Sequence, residues 1–100
     1  MLSKLKKLII RVEKIKGVCP VYKIGDAFFV EEGYKLTTNK PICLHSLVSL
    51  LPYYVALSHG VSPSTLGIAG EDGVAYVQCL DPCKYTGGGT VIFSIRLEDK

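Results

Sequence analysis

The sequence predicts an α+β domain in which a small antiparallel sheet, or an open barrel, packs on one kinked helix. Alternating apolar residues, which are typical of strands, occur near both ends of the chain. A central segment instead repeats apolar residues at spacings of three and four, as a helix does. Short connections favour antiparallel pairing within each pair of strands. We therefore expect the order strand, strand, helix, strand, strand.

A single domain, residues 1–100, follows from length and composition. The chain has 100 residues, of which 48% are hydrophobic and 21% charged, as in ordinary globular proteins. No linker, repeat or low-complexity tract divides it. The chain is long enough to form a stable hydrophobic core without disulfide bonds.

Four segments are predicted as strands: residues 8–15, 27–31, 74–79 and 91–97. Residues 17–26 form an irregular connection between the first two. Residues 1–16 carry six basic side chains and one acidic side chain. Lysines discourage pairing between sheet edges. This basic segment, which includes Lys4 and Lys6, is therefore predicted as a solvated edge strand.

The helix is predicted to begin near Asn39, as the N-cap, with Pro41 in its first turn, and to end at His59-Gly60. Pro52 must kink or split this helix, because it cannot donate a hydrogen bond to the preceding turn. One face carries Leu44, Leu47, Val48, Leu51 and Val55. Residues 63–66 are predicted as a short helical turn that Gly67 ends.

The apolar segments are too short for export or for crossing a membrane. Arg11 and Glu13 interrupt the apolar run at residues 8–10, whereas a signal peptide needs about 7 to 15 apolar residues. We expect a cytoplasmic protein with reduced thiols and no membrane partner. The sequence has no zinc-finger or helix-turn-helix pattern, so sequence-specific nucleic-acid binding is not expected either.

The four cysteines are the most informative residues. Cys19, Cys43 and Cys79 each fall at the boundary of a predicted element, and Cys83 follows at a spacing of four. Cys19, Cys43 and Cys79, together with Cys83 or His45, are candidate metal ligands. A closed site with four protein ligands is typical of structural zinc, whereas three thiolates with an open coordination position suit a catalytic metal or an iron–sulfur cluster.

Two other interpretations of the cysteines stay open. In the first, Cys43 is a reactive thiol, because the first turn of a helix stabilises a thiolate. His45 would then serve as base or proton donor, and Cys79 or Cys83 would resolve an oxidised intermediate as a disulfide. In the second, the cysteines are buried and inert, as free cysteines often are. The sequence leaves open whether the protein is an enzyme.

A ligand pocket is a further hypothesis. Tyr53 and Tyr54 lie beside the predicted kink and, with Tyr22, are candidates to line a pocket for a small polar ligand. Residues 86–90, which include Gly87 and Gly88, have the composition of an anion-binding nest. Core packing and a simple turn between strands are the competing explanations. Asp81, next to this segment, lies beside a turn where carboxylates commonly cap backbone N–H groups.

Five motifs, taken in order, resemble those of a family of small bacterial and archaeal proteins of unknown function. The motifs are CPVYKIGD at 19–26, CLH at 43–45, LPYY at 51–54, QCLDP at 78–82 and TGGGT at 86–90. The resemblance spans residues 8–96. It implies that Cys19, Cys43, Cys79, His45, Asp81 and the glycine run belong to the family pattern and that Cys83 lies outside it. A site with three cysteines, completed by His45 or an external ligand, is then favoured over one with four.

The leading hypothesis is a small cytoplasmic protein that holds a zinc ion, or another metal ion, or an iron–sulfur cluster through Cys19, Cys43 and Cys79. The alternatives are a thiol redox protein or enzyme that uses Cys43, and an accessory domain that works through a tyrosine-lined surface. Assembly with further copies of the chain is left open.

Overall fold

The computed structural model describes residues 7–98 as an open five-stranded antiparallel sheet with short helices. The elements are β1 (Lys7–Gly17), β2 (Ala27–Glu31), β3 (Lys35–Thr37), α1 (Leu44–Leu50), α2 (Tyr54–Ser58), β4 (Ala75–Gln78), α3 (Cys83–Thr86) and β5 (Gly89–Glu98). The strand order is β3-β2-β1-β5-β4, and each neighbouring pair is antiparallel. The predicted α+β class and antiparallel sheet are confirmed.

Strand β1 occupies the centre of the sheet, so its prediction as an edge strand is wrong. Leu8 pairs with Val30 of β2 on one side and with Leu97 of β5 on the other. The buried face of β1 carries Leu8, Ile10 and Val12, while its basic side chains project from the opposite face. The basic residues therefore indicate which face of β1 is exposed to solvent. They do not indicate whether one or two strands pair with β1. Lys4 and Lys6 lie outside the described residues.

Strand β3 was not predicted from the sequence. Its three residues are exposed, and the polar composition of residues 32–41 is typical of a loop. A tight turn joins it to β2, with Glu32 and Gly33 both at positive φ and the Tyr34 N–H donating to the Glu31 carbonyl at 3.2 Å. The turn places Leu36 opposite Val30 in register.

The prediction of one kinked helix is wrong, because two short helices replace it. Helix α1 ends at Leu50, and α2 begins at Tyr54, on the far side of Pro52. Proline lacks the N–H that a continuous helix would need at this position. The N-cap of α1 is Cys43, so the helix begins later than the predicted Asn39 and Pro41.

The helices bury a different face from the one that the apolar spacing singled out. Ser46, Leu50 and Leu57 are buried. Four residues of the predicted apolar face remain exposed: Leu44, Val48, Leu51 and Val55. The segment is apolar on two sides, and periodicity alone does not choose between them.

The core lies between one face of the sheet and helices α1 and α2, which contact β4 and β1 respectively. Three aromatic rings form its centre. Phe93 packs edge-on against Tyr22 and Phe28, with ring centroids 5.5 and 6.1 Å away, and Tyr22 stacks on Phe28 at 6.4 Å. Such edge-to-face pairs stabilise a core beyond the area that they bury.

In the connection between α2 and β4, residues 63–67 form a turn where a short helical turn at residues 63–66 was predicted. The hydroxyl of Ser62 accepts a hydrogen bond from the Thr65 N–H at 3.1 Å, and Gly67 ends the turn at φ +79°. Within residues 7–98, no helix has the length and apolar character that crossing a membrane requires.

Candidate functional site

The candidate site lies at the end of the sheet where β1 finishes and β5 begins. Gly17 pairs with Gly89 there, and the Val18 N–H donates to the Gly88 carbonyl at 3.3 Å. The Cys79 N–H donates to the carbonyl of Val91 at 2.8 Å, which brings the exit of β4 to the same end. The loops at residues 18–26 and 79–88 therefore leave the sheet side by side.

Glycines allow these chain segments to approach closely. A Cβ atom on Gly89 would lie 2.7 Å from the carbonyl carbon of Val18, and real Cβ atoms do not approach backbone so closely. A Cβ on Gly17 would overlap the Gly88 carbonyl oxygen and lie 2.6 Å from the Cys83 sulfur. The glycines thus set the position of the loop that carries Cys19.

That loop, residues 18–26, is held at both ends. Asp26 accepts a hydrogen bond from the Lys23 N–H at 2.8 Å and an ion pair from Lys40 at 2.7 Å. The hydrogen bond from Lys40 holds the pKa of the half-buried Asp26 carboxyl below its ordinary value, and the Lys23 N–H adds to this. Two backbone hydrogen bonds return the chain to β1: the Gly25 N–H donates to the Val12 carbonyl at 2.9 Å, and the Val12 N–H donates to the Asp26 carbonyl at 2.8 Å.

Tyr22 is the centre of the site. Its side chain is buried, and its hydroxyl takes part in a closed ring of three hydrogen bonds. The Ser46 hydroxyl donates to the Cys43 carbonyl at 2.7 Å, so the Tyr22 hydroxyl donates to Ser46, also at 2.7 Å. The Cys43 N–H then donates to the Tyr22 oxygen at 2.9 Å. The ring fixes the backbone of Cys43 through both its N–H and its carbonyl.

The pKa of Tyr22 is raised from its ordinary value. Burial, which disfavours the phenolate, is the largest cause, and the hydrogen bond between Tyr22 and Ser46 and the one from the Cys43 N–H oppose it. Cys43 and Cys19 both lie close enough to Tyr22 that negative charge on either sulfur raises its pKa further. Two cysteines separated along the chain are therefore both hydrogen-bonded to one tyrosine, Cys19 through its sulfur and Cys43 through its N–H. We call Tyr22, Cys19, Cys43 and Ser46 the thiol corner.

The sulfurs of Cys19 and Cys79 have similar surroundings. Cys19 is half-buried, and its sulfur accepts a hydrogen bond from the Tyr22 N–H at 3.4 Å. Cys79 is buried in the core, and its sulfur accepts a hydrogen bond from the Asp81 N–H, also at 3.4 Å. Such donors stabilise negative charge on the acceptor atom. Each sulfur thus accepts a hydrogen bond from the backbone N–H of a residue that follows it closely in the chain.

Asp81 and the glycine run form an internally bonded unit. The Thr86 hydroxyl donates to the Asp81 carboxylate, and the Thr90 hydroxyl donates to the Asp81 carbonyl at 2.5 Å. The N–H groups of Gly87 and Gly88 donate to the Cys83 carbonyl and the Thr86 hydroxyl. A Cβ on Gly88 would overlap the Asp81 carboxylate. These N–H groups already have acceptors, and a carboxylate lies beside them, which disfavours an anion there.

The remaining predicted residues lie elsewhere. His45 is exposed on α1, and Tyr53 is half-buried at the N-cap of α2. Tyr54 lines an apolar cavity between the sheet and the helices. Cys83 lies beside Gly17, and its N–H donates to the Thr90 hydroxyl at 3.4 Å.

No set of three or more histidine, cysteine, aspartate or glutamate side chains in residues 7–98 is arranged to hold a metal ion. The predicted ligands Cys19, Cys43, Cys79 and His45 all lie within this range. The structure places Cys19 and Cys43 at Tyr22 and Cys79 in the adjoining core. The metal site itself stays a prediction.

Comparison of the chain with known protein families, curated proteins and solved structures finds no match. The resemblance indicated by the five motifs therefore stays a prediction.

Ser46 is the site residue that sequence reasoning missed. It is fully buried, and it lies one helical turn before the buried Leu50. A serine on the buried side of an apolar helix needs a hydrogen-bond partner. That requirement was the available signal, but it does not identify Tyr22, which lies 24 positions earlier.

Replacing Tyr22 with phenylalanine is expected to lower the free energy of unfolding by about 1–3 kcal/mol at neutral pH, because Ser46 and the Cys43 N–H lose their buried partner. Chemical denaturation measures this change. The matched control is Tyr85→Phe at an exposed tyrosine, with an expected change within about 0.5 kcal/mol. Equal stability of the two variants would contradict the hydrogen-bonded ring.

The pH dependence of stability tests the burial of the same side chain. Because the folded-state pKa of Tyr22 is raised, the unfolded chain loses this proton first, at about pH 10. Stability is therefore complete below pH 10 and falls as the pH rises from there through the folded-state pKa. Tyr22→Phe is expected to remove this part of the alkaline loss, while Tyr85→Phe retains it.

Proposed function

We propose that the protein binds a soft metal ion or an iron–sulfur cluster through the thiolates of Cys19, Cys43 and Cys79, with His45 or an external ligand completing the site. The observation that carries this proposal is the hydrogen bonding of the sulfurs. The sulfurs of Cys19 and Cys79 each accept a backbone N–H at 3.4 Å from a residue just beyond them. Backbone donors to sulfur stabilise thiolates and tune thiolate-bound metals and clusters.

The positions of the three cysteines are consistent with this role. Cys19 and Cys43 are both hydrogen-bonded to Tyr22, Cys19 through its sulfur and Cys43 through its N–H, and both are half-buried. Cys79 belongs to the core cluster against which these two cysteines pack. Because no such ligand set is assembled within residues 7–98, binding requires the three cysteines to come closer together. It also releases the thiol protons, so affinity should fall at low pH. The exposed His45 lies on the same helix as the Cys43 cap.

A reactive thiol at Cys43 is the second candidate function. Cys43 is the half-buried N-cap of α1, and the Tyr22–Ser46 ring fixes its backbone. In this case the sulfur acts as a nucleophile, without metal. The absence of an assembled three-ligand set among residues 7–98 favours this alternative.

Metal analysis of anaerobically purified, untagged protein distinguishes the two functions. We expect about one zinc or iron-containing site per chain. Cys19→Ser, Cys43→Ser and Cys79→Ser should each lower metal content at least about tenfold, since every thiolate is a ligand. Cys83→Ser is the matched control, because Cys83 lies beside Gly17 and outside the proposed set, and it should retain the metal.

Two outcomes would overturn the metal proposal. One is a folded, colourless protein that stays metal-free after anaerobic reconstitution with zinc or iron and sulfide. The other is metal binding that is lost equally in Cys83→Ser. If the metal-free protein is alkylated by iodoacetamide much faster at Cys43 than at Cys83, the reactive-thiol function is supported instead.

A further inference from the structure

The structure contains an apolar cavity of about 170 Å³ between the sheet and the helix pair, lined by residues of β1, β2, β3, β5, α1 and α2. Its inner wall is formed by core residues that are at most 4% exposed, among them Leu8, Phe28, Leu50 and Ile95. Its outer edge is formed by exposed residues, Tyr34, Leu36 and Leu51. The cavity therefore reaches from the core to the surface.

The lining restricts the chemistry of an occupant. All eleven lining residues are aliphatic or aromatic, and none is charged. The only side-chain polar groups among them are the hydroxyls of Tyr34 and Tyr54. A charged molecule would lose its hydration without gaining an ionic partner among these side chains. A neutral apolar molecule loses little hydration free energy on entering the cavity, and it gains dispersion contacts on several sides.

The volume restricts the size of an occupant. A protein cavity of about 150 Å³ lined by leucine, isoleucine and phenylalanine stays dry and binds benzene. The present cavity has a similar lining and about 170 Å³, so it matches a single six-membered ring with one small substituent. A drug-sized ligand needs a pocket of at least about 300 Å³.

We propose that this cavity is a binding site for one small, neutral, ring-sized apolar molecule, of the size of toluene. The molecule enters between Tyr34, Leu36 and Leu51. Strand β3, which carries Leu36, has three residues and pairs on one side only, with β2. Such a strand can be displaced with the loss of few hydrogen bonds, which provides a route to the inner wall.

The proposal does not depend on the thiol function, although the two sites share a wall. The Phe28 ring lines the cavity and stacks on Tyr22. Helix α1 contributes Leu50 to the cavity and Ser46 to the thiol corner. A molecule in the cavity is therefore expected to shift the resonances of Tyr22 as well as those of the lining residues.

Titration of the full chain with toluene, followed by amide and methyl NMR spectra, tests the proposal. We expect saturable shifts at Leu8, Val30, Leu36 and Leu50. Benzoate, a charged molecule of similar size, should cause no such shifts. Val30→Phe, which adds volume on the cavity wall, should weaken toluene binding at least about tenfold, equivalent to about 1.4 kcal/mol.

Val48→Ser is the matched control. Val48 is exposed on α1, does not line the cavity and belongs to the exposed apolar face of the helices, so its replacement should leave the affinity unchanged. If Val30→Phe fails to fold, Leu36→Trp at the outer edge serves in its place. Three outcomes would overturn the proposal: shifts that do not saturate, shifts confined to Val48 and Val55, or toluene binding unchanged when the cavity is filled.

Discussion

Replacing Phe93 with alanine is expected to lower the free energy of unfolding by about 3–5 kcal/mol, a large part of the stability of a domain of this size. Phe93 is fully buried on β5, between Val12 of β1 and Val77 of β4 in register. Its ring packs edge-on against both Tyr22 and Phe28. Chemical denaturation followed by circular dichroism measures the loss.

Phe29→Ala is the matched control for Phe93→Ala. Phe29 lies on the outer face of the sheet, where it is half-buried and the Lys7 ammonium lies 4.7 Å from its ring centroid. Removing it loses partial burial and an exposed cation–π contact, so a change of about 1 kcal/mol is expected. Equal losses in the two variants would mean that the aromatic cluster is not the centre of the core.

Replacing Gly17 with alanine is the second substitution with a large expected effect. Gly17 has φ +79°, a conformation that costs L-residues about 1–2 kcal/mol. An added Cβ would also overlap the Gly88 carbonyl oxygen, where β1 meets β5. Overpacking of this kind costs about 1–3 kcal/mol more. A total loss of about 2–5 kcal/mol in unfolding free energy is therefore expected.

Gly67→Ala separates the two causes. Gly67 also has φ +79°, but a Cβ there would meet nothing within 4 Å. Its replacement should cost about 1–2 kcal/mol, from backbone conformation alone. The difference between the two variants measures the close approach at the end of the sheet. If both lose the same stability in denaturant titrations, the β1 and β5 backbones lie further apart at Gly17 than described.

Local patterns were sufficient to predict most of the sheet. Strand β2 was predicted with its observed bounds, and the buried face of β1 follows from the alternation of Leu8, Ile10 and Val12. Strand β3 escaped prediction because its position depends on pairing with β2 and on the tight turn at Gly33, and not on apolar alternation. Pairing between β1 and β5 was likewise beyond local reasoning, since it joins opposite ends of the chain.

The helical region shows a different limit. Pro52 was correctly expected to kink or split the helix. The sequence did not predict which of the two occurs, and the structure shows two separate helices. Residues 44–58 are apolar on two sides, so the side that is buried depends on how the helices pack against the sheet. The sheet accepts Leu50 and Leu57 and leaves Val48 exposed.

The candidate site was predicted only in its components. The boundary positions of Cys19, Cys43 and Cys79 were evident from the sequence, as was the inclusion of Tyr22 among candidate binding residues. The hydrogen-bonded ring was not, because it joins a loop to a helix through Ser46, which resembles an ordinary helix serine in sequence. The apolar cavity was also missed, since a void depends on how side chains from six elements fit together.

The pairing of β1 with β5 has a consequence for the newly made chain on the ribosome. Lys7 pairs with Glu98 in register, so the central strand of the sheet gains its second neighbour only when the last described strand has been synthesised. Until then, the backbone N–H and C=O groups on the edge of β1 that β5 covers stay open to pairing with other chains. Nascent chains that end before β5 should therefore be bound by chaperones or degraded.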